Sequence, residues 1–180
     1  MSDILDRLHQ DHLNMVQILN AIERELQRLE GHEAADLPLV HDALHYLTNY
    51  ADLYHHPVED RLFEHLERLE RIDDATREQV VRLREEHQAL YVKGKAFFDA
   101  IREVESEVAM ERREFDHLAR DYLDSQRQHL DFEEAIMFPL ARRVLEADDW
   151  ETLAGIDEIE SDPLFGRLVH QEYERLKNAL

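Results

Sequence analysis

Four long runs of this sequence repeat apolar residues at alternating steps of three and four, and almost nothing interrupts them: 180 residues contain only four Gly and four Pro. That rhythm keeps one face of an α-helix turned towards a neighbour and does not suit the period of two of a strand, so it predicts long amphipathic helices packed side by side. The first run is Leu5, Leu8, His12, Met15, Leu19, Ile22, Leu26 and Leu29. Gly31 reads as its stop, and Asp36 with Pro38 as the cap and early-helix proline of a second helix over about 37–71. The second stripe is Leu44, Thr48, Ala51, His55, Glu59, Leu62, Leu66 and Leu69. Asp73 and Asp74, followed by Thr76 with Gln79 in capping-box spacing, open a third helix with the stripe Val80, Leu83, His87, Leu90, Gly94, Phe97, Ile101 and Val104. The fourth stripe is Phe115, Leu118, Tyr122, Ser125, His129, Glu133, Ile136 and Leu140, continuing to Val144, and the turn before it falls within residues 105–112.

Polar residues thus sit where apolar ones are due: His12, His55, Glu59, His87, His129 and Glu133. His87 follows His12 by 75 positions, while His129 and Glu133 follow His55 and Glu59 by 74, which reads as one helical hairpin used twice. In antiparallel neighbours joined by short turns, residues at one height lie equidistant from the turn. The midpoints of His12 with His55, of Glu59 with His87 and of His87 with His129 all fall in the proposed turns. An all-α, up-down-up-down four-helix bundle over residues 1–147 therefore brings the six residues to one level of its core. Residues 148–180 lie outside the repeat. A short helix is expected over Trp150 to Ile159, and Asp162-Pro163 is expected to start another bearing Leu164, Phe165, Leu168, Val169 and Leu176. This C-terminal helical extension either packs on the bundle or joins a second copy of the chain in a homodimer.

The pairs His55/Glu59 and His129/Glu133 have i, i+4 spacing, which projects both members onto one helical face. Burying two carboxylates without partners costs on the order of several kcal/mol each, so such a core needs cations or protons. Twelve histidines and no cysteine restrict metal ligation to nitrogen and oxygen, which suits iron, manganese or zinc. If both carboxylates bridge, the six residues supply eight of the twelve positions of two six-coordinate ions. A bridging oxygen takes two more and leaves two for O2, nitric oxide or peroxide. A single tetrahedral zinc would leave two of the six residues unused. The remaining alternative is a metal-free bundle with a buried polar network.

A formal charge of −21 repels phosphate backbones and anionic lipid, so neither nucleic acid nor membrane is an expected partner. The acidic start lacks the basic and apolar segments of a secretory signal, and a cytoplasmic protein is expected. Ferritin-type E-x-x-H spacing occurs once, at Glu114 and His117, off the stripe. There is no Ser-His-Asp constellation and no glycine-rich phosphate loop.

The segments Tyr54-His55-His56-Pro57-Val58-Glu59-Asp60-Arg61-Leu62-Phe63 and His129-Leu130-Asp131-Phe132-Glu133-Glu134-Ala135-Ile136-Met137-Phe138-Pro139 resemble the second- and fourth-helix signatures of the hemerythrin-like, HHE cation-binding family. With Asp11-His12 and Glu86-His87 the resemblance covers residues 5 to 145. It implies a non-haem di-iron centre with His12, His55, His87 and His129 as terminal ligands and Glu59 and Glu133 as bridging carboxylates. Two iron ions, with manganese or zinc as alternatives, would share an oxo, hydroxo or water bridge. The chain departs from the oxygen carriers at Tyr91, where their third helix has a second histidine, which implies sensing, peroxide chemistry or iron handling rather than stable O2 carriage. Glu134 stands where the carriers have an aspartate and competes with Glu133, which the repeat offset selects.

Three functions are thus in view: binding or sensing of O2, nitric oxide or iron; a di-iron oxidoreductase; or a structural bundle stabilised by metal. Pro57 predicts a kink or widened turn beside His55. His56 is either a seventh ligand or an interhelical residue. His9, His32, His41, His45, His65, His117 and His170 are expected at the surface, and Tyr50, Tyr54, Tyr91 and Tyr122 either support the metals or fill the core.

Overall fold

A computed structural model of the chain describes residues 3–106, 110–155 and 162–180, and among them there is no strand. The first rod is α1 (Asp3–Glu30), and the second runs through α2 (Leu37–Tyr46), a wide π-helical stretch (Leu47–His55) and α3 (His56–Glu67). The third is α4 (Asp74–Glu105). The fourth runs through α5 (Arg112–Phe132), a second π-helical stretch (Glu133–Met137) and α6 (Phe138–Val144). The first rod packs on the second, the second on the third, the third on the fourth and the fourth on the first, which closes an up-down-up-down bundle. No helix of the described residues is long and apolar enough to cross a membrane.

The ends follow local chemistry, with some differences from the sequence expectations. Asp36 caps α2 by accepting from the Leu39 amide at 3.0 Å, with Pro38 in the first turn. Asp73, not Thr76, caps α4, and Thr76 supplies the amide it accepts from at 2.9 Å. The second rod ends at Glu67 rather than near 71. At the end of α1 the left-handed residue is His32, with φ 59°, and not Gly31. Its amide bonds to the Leu29 carbonyl and that of Glu33 to the Arg28 carbonyl, the paired reverse bonds of a Schellman end. Part of the third turn, residues 107–109, lies outside the described residues.

Both wide stretches have the same cause. Pro57 and Pro139 each occupy the second position of the α-helix that follows. A proline ring clashes with the carbonyl four residues back and has no amide to offer it. Widening the turn relieves that clash, and the amides just before the prolines reach five residues back: His56 to Ala51 and Phe138 to Glu133. Thr48 and Asn49 cover neighbouring carbonyls by donating from their side chains to Leu44 at 2.9 Å and His45 at 2.8 Å. The widening expected at Pro57 is present. The one before Pro139 shifts the fourth stripe by a residue, so Met137 is wholly buried and Ile136, expected in the core, is 43% exposed.

The apolar core is in two parts. Met15, Ile18, Ile22, Leu44, Phe97 and Tyr122 belong to one, and Leu5, Leu8, Leu62, Phe63, Val80 and Met137 to the other. Gly94 lets the rods of the first part close up, since a Cβ there would lie 3.0 Å from the Tyr122 ring and 3.2 Å from the Thr48 methyl. Beyond the fourth rod, α7 (Ala147–Leu153) is closed by a capping box between Glu146 and Asp149, and its Leu153 and Trp150 pack on the second part. The short helix expected over 150–159 thus starts earlier and ends at Leu153, and residues 156–161 lie outside the described residues. Asp162-Pro163 starts a turn instead of a helix, because the Asp162 carboxylate accepts from the amides of Leu164 and Phe165 and curls the chain. The final helix, α8 (Glu174–Ala179), comes later; Leu164, Tyr173 and Leu176 are buried against the first part.

Candidate metal centre

The layer that divides the two apolar parts is polar. His12 from α1, His55 and Glu59 from the second rod, His87 from α4, and His129 and Glu133 from the fourth all turn inward and are buried, with both glutamates fully inaccessible. The six residues singled out in the sequence therefore meet at one level. On one side the Nε2 atoms of His12 and His55 are 3.0 Å apart, and Glu59 Oε1 lies 3.2 Å and 3.1 Å from them. On the other, His87 Nε2 is 3.6 Å from Glu59 Oε2 and 3.7 Å from Glu133 Oε1. Glu133 Oε2 lies 3.4 Å from His12 Nε2 and 3.3 Å from His129 Nε2. Each glutamate thus extends one oxygen towards His12 and the other towards His87.

Behind every central imidazole stands a carboxylate, a role missed in the sequence for all four, where Glu134 reads only as a competitor of Glu133. His55 Nδ1 donates to Asp11 at 3.1 Å, His87 Nδ1 to Asp60 at 2.8 Å, His129 Nδ1 to Glu86 at 3.2 Å and His12 Nδ1 to Glu134 at 2.8 Å. Each acid is the chain neighbour of an inward-facing residue, about 100° round its helix, and so reaches the histidine of the next rod. The signal that could have found them is the repeat itself: Glu86 follows Asp11 by 75 positions and Glu134 follows Asp60 by 74. Glu134 accordingly orients His12 and is half-exposed, and Glu133 occupies the centre. Tyr50, buried, donates to Asp11 at 3.3 Å, and buried Tyr122 accepts from Gln126, whereas Tyr54 and Tyr91 are exposed.

His56 is also buried and stacks on His87 with ring centroids 4.3 Å apart. One ligand-capable atom from each of His56, Glu59, His87 and His129 lies within 4.8 Å of the others, and a second such group joins His12, His55 and Glu59. Of the outlying histidines, His9, His32, His117 and His170 are exposed as expected. His41, His45 and His65 are half-buried instead: His41 packs on the Phe98 ring, His45 bonds to the Tyr173 hydroxyl at 2.9 Å, and His65 bonds to Asp149 at 2.9 Å.

Electrostatics make the centre ask for positive charge. Burial opposes a charged His12, but the bonds to Glu134 and Glu59 outweigh it and push the ring up to about 10. His87 rises to about 10 in the same way, against burial and through Asp60, Glu133 and Glu59, and His55 is raised by Glu59 and Asp11 against its own burial. Burial alone would lift Glu59, yet His55 and His12 hold it well below the usual carboxylate range. His56 is held well below the ordinary histidine value by burial and by His87. Burial pushes Asp52, which faces His56, up to about 7.

A bound cation fits these residues on chemical grounds. A histidine whose Nδ1 donates to a carboxylate presents a bare lone pair at Nε2. His12 and His55 both commit Nδ1 in this way and bring their Nε2 atoms to 3.0 Å from each other, a contact that repels unless a proton or metal ion sits between them. Glu59 Oε2, His87 Nε2, His129 Nε2 and both oxygens of Glu133 are buried with no hydrogen-bond partner. Neither a search of curated proteins nor one of solved structures returned a match to this sequence. The hemerythrin HHE cation binding domain, in contrast, matches residues 3–141, so the chain belongs to the hemerythrin HHE cation-binding family.

Proposed function

We propose that the chain is a hemerythrin-type non-haem di-iron protein, manganese or zinc being the alternative metals, which binds or senses a small ligand such as O2 or nitric oxide, or handles iron itself. His12 and His55 would hold one ion and His87 and His129 the other, with Glu59 and Glu133 as the carboxylates shared between them; residues 148–180 form an extension to this 1–147 metal domain. The observation that carries the reading is the pair of outward-anchored imidazoles whose Nε2 atoms face each other across 3.0 Å beside Glu59. When bound, iron supplies the redox and Lewis-acid chemistry such ligands require. The protein's part is to orient: Asp11, Asp60, Glu86 and Glu134 keep the Nδ1 protons in place, and the two apolar layers keep water from the centre.

A second reading, di-iron oxidoreductase chemistry with O2 or peroxide, is favoured by Tyr91, which is 46% exposed and brings no second ligand from α4. Protein purified without chelators is expected to hold two equivalents of metal by elemental analysis. His55→Ala and Glu59→Ala are expected to lose metal and thermal stability together, because ligand binding adds to folding free energy. Unchanged metal content in both variants would remove the assignment. Mixing the reduced protein with O2 and then peroxide separates a reversible adduct from turnover.

A further inference from the structure

The centre is closed to solvent, so an ion that fills it must pass through the wall of the bundle. Two clefts touch its members. One, of about 320 Å³, opens between the second rod and α4 and is lined by Asp52, His56, Asp60, His87, Gln88 and Tyr91 among others. The other, of about 150 Å³, opens between α4 and the fourth rod, is lined by Arg82, Glu86, Lys93 and Gln128 among others, with Arg82 paired to Glu86 at 2.6 Å and Lys93 to Asp121 at 2.8 Å, and ends at His129. The first contains no Lys or Arg in its lining and brings the carboxylates of Asp52 and Asp60 to its wall, oxygen donors of the kind a hard divalent cation prefers. Asp52 Oδ1 lies there 3.3 Å from His56 Nδ1. The His56 amide goes to Ala51 rather than to the Asp52 carbonyl, and Pro57, the next residue, has no amide to offer it. Inward along the same rod, Asp52, His56 and Glu59 follow one another at steps of four and three, so each is one turn from the next. His87 closes the inner end with an Nε2 that is buried and unpartnered.

We propose that this cleft is the route by which divalent cations reach the centre, passing from Asp52 to His56 and then to Glu59 and His87. The inference rests on the metal-centre reading given above. The lining of the other cleft sets two cations, Arg82 and Lys93, against the single carboxylate of Glu86, whereas the first carries two carboxylates, Asp52 and Asp60, and no cation, so charge separates the two paths.

Metal-stripped protein is mixed with Co2+ in a stopped-flow instrument, and uptake is followed by cobalt absorption, with final cobalt content measured separately. Gln88→Lys places a cation at the exposed mouth of the cleft without touching the core, and Asp52→Asn removes its carboxylate. Both are expected to slow uptake by about tenfold or more at low salt while wild-type cobalt content is still reached, and 1 M salt is expected to erase most of the Gln88→Lys effect. Gln128→Lys, the same change at the other cleft, is expected to stay within about twofold of wild type. Wild-type rates in Gln88→Lys and Asp52→Asn, or equal slowing in Gln128→Lys, would overturn the route and leave the metal centre standing. A wild-type chain that takes up no cobalt would remove the metal-centre reading, and the route with it.

Discussion

A histidine that donates from Nδ1 to a carboxylate has its tautomer and ring plane chosen for it, and its Nε2 becomes a better donor to a cation. At the four central histidines that carboxylate comes from a neighbouring rod, so Asp11→Asn or Glu134→Gln is expected to weaken metal binding by roughly 10–100-fold while helix content stays the same. Metal titration with circular dichroism checks this, and unaltered affinity would show the outer acids to be passive. In the stripped protein, protons take the place of the cations. The rings of His12 and His87, raised from 6.5 to about 10, stabilise the fold fully below pH 6.5, and that contribution disappears as the pH climbs through about 10. The melting temperature of the stripped protein is therefore expected to fall between pH 7 and pH 10, whereas the metal-loaded protein loses its ions on acidification as protons compete for the imidazoles. A stripped protein whose melting temperature rises over that alkaline range would contradict the ion pairs at the centre.

The regular elements explain what could be read from the sequence and what could not. The stripe of α4 runs unbroken from Val80 to Ile101, and all seven residues are buried, because no proline disturbs its period. The six central residues are legible for a similar reason: the offset of 74 to 75 survives in both hairpins. Ile136 is misplaced because a wide turn adds a residue that a fixed period of 3.6 does not anticipate, and Pro139 was its visible cause. The ring of acids is just as periodic as the ligands but lies off the stripes, where a charge reads as solvated surface. The end of α1 is illegible for another reason. Gly31 is the residue made for a left-handed turn, yet His32 adopts it. That conformation strains a residue with a Cβ, so His32→Gly is expected to stabilise the protein by about 0.5–1 kcal/mol in chemical denaturation. A destabilised variant would mean that the exposed imidazole has work to do there.

At the level of the whole molecule, the polar layer separates two apolar cores, and the chain beyond the bundle covers both: α7 packs on one and the 162–180 segment on the other. Removing residues 162–180 uncovers the surface under Leu164, Tyr173 and Leu176, each contributing roughly 1.5–3 kcal/mol when fully buried. The truncated chain is expected to melt about 10 °C or more below the full one in calorimetry. An unchanged melting point would make the segment a passenger. The way the acids are shared carries a further consequence. Asp11 of the first rod grips His55 of the second, Asp60 of the second grips His87 of the third, Glu86 of the third grips His129 of the fourth, and Glu134 of the fourth returns to His12 of the first. The circuit closes in one rotational sense, like four people each holding the next one's sleeve. No rod can swivel about its own axis without tugging its successor, so a disturbance at any one of the four histidines is expected to be felt all the way round.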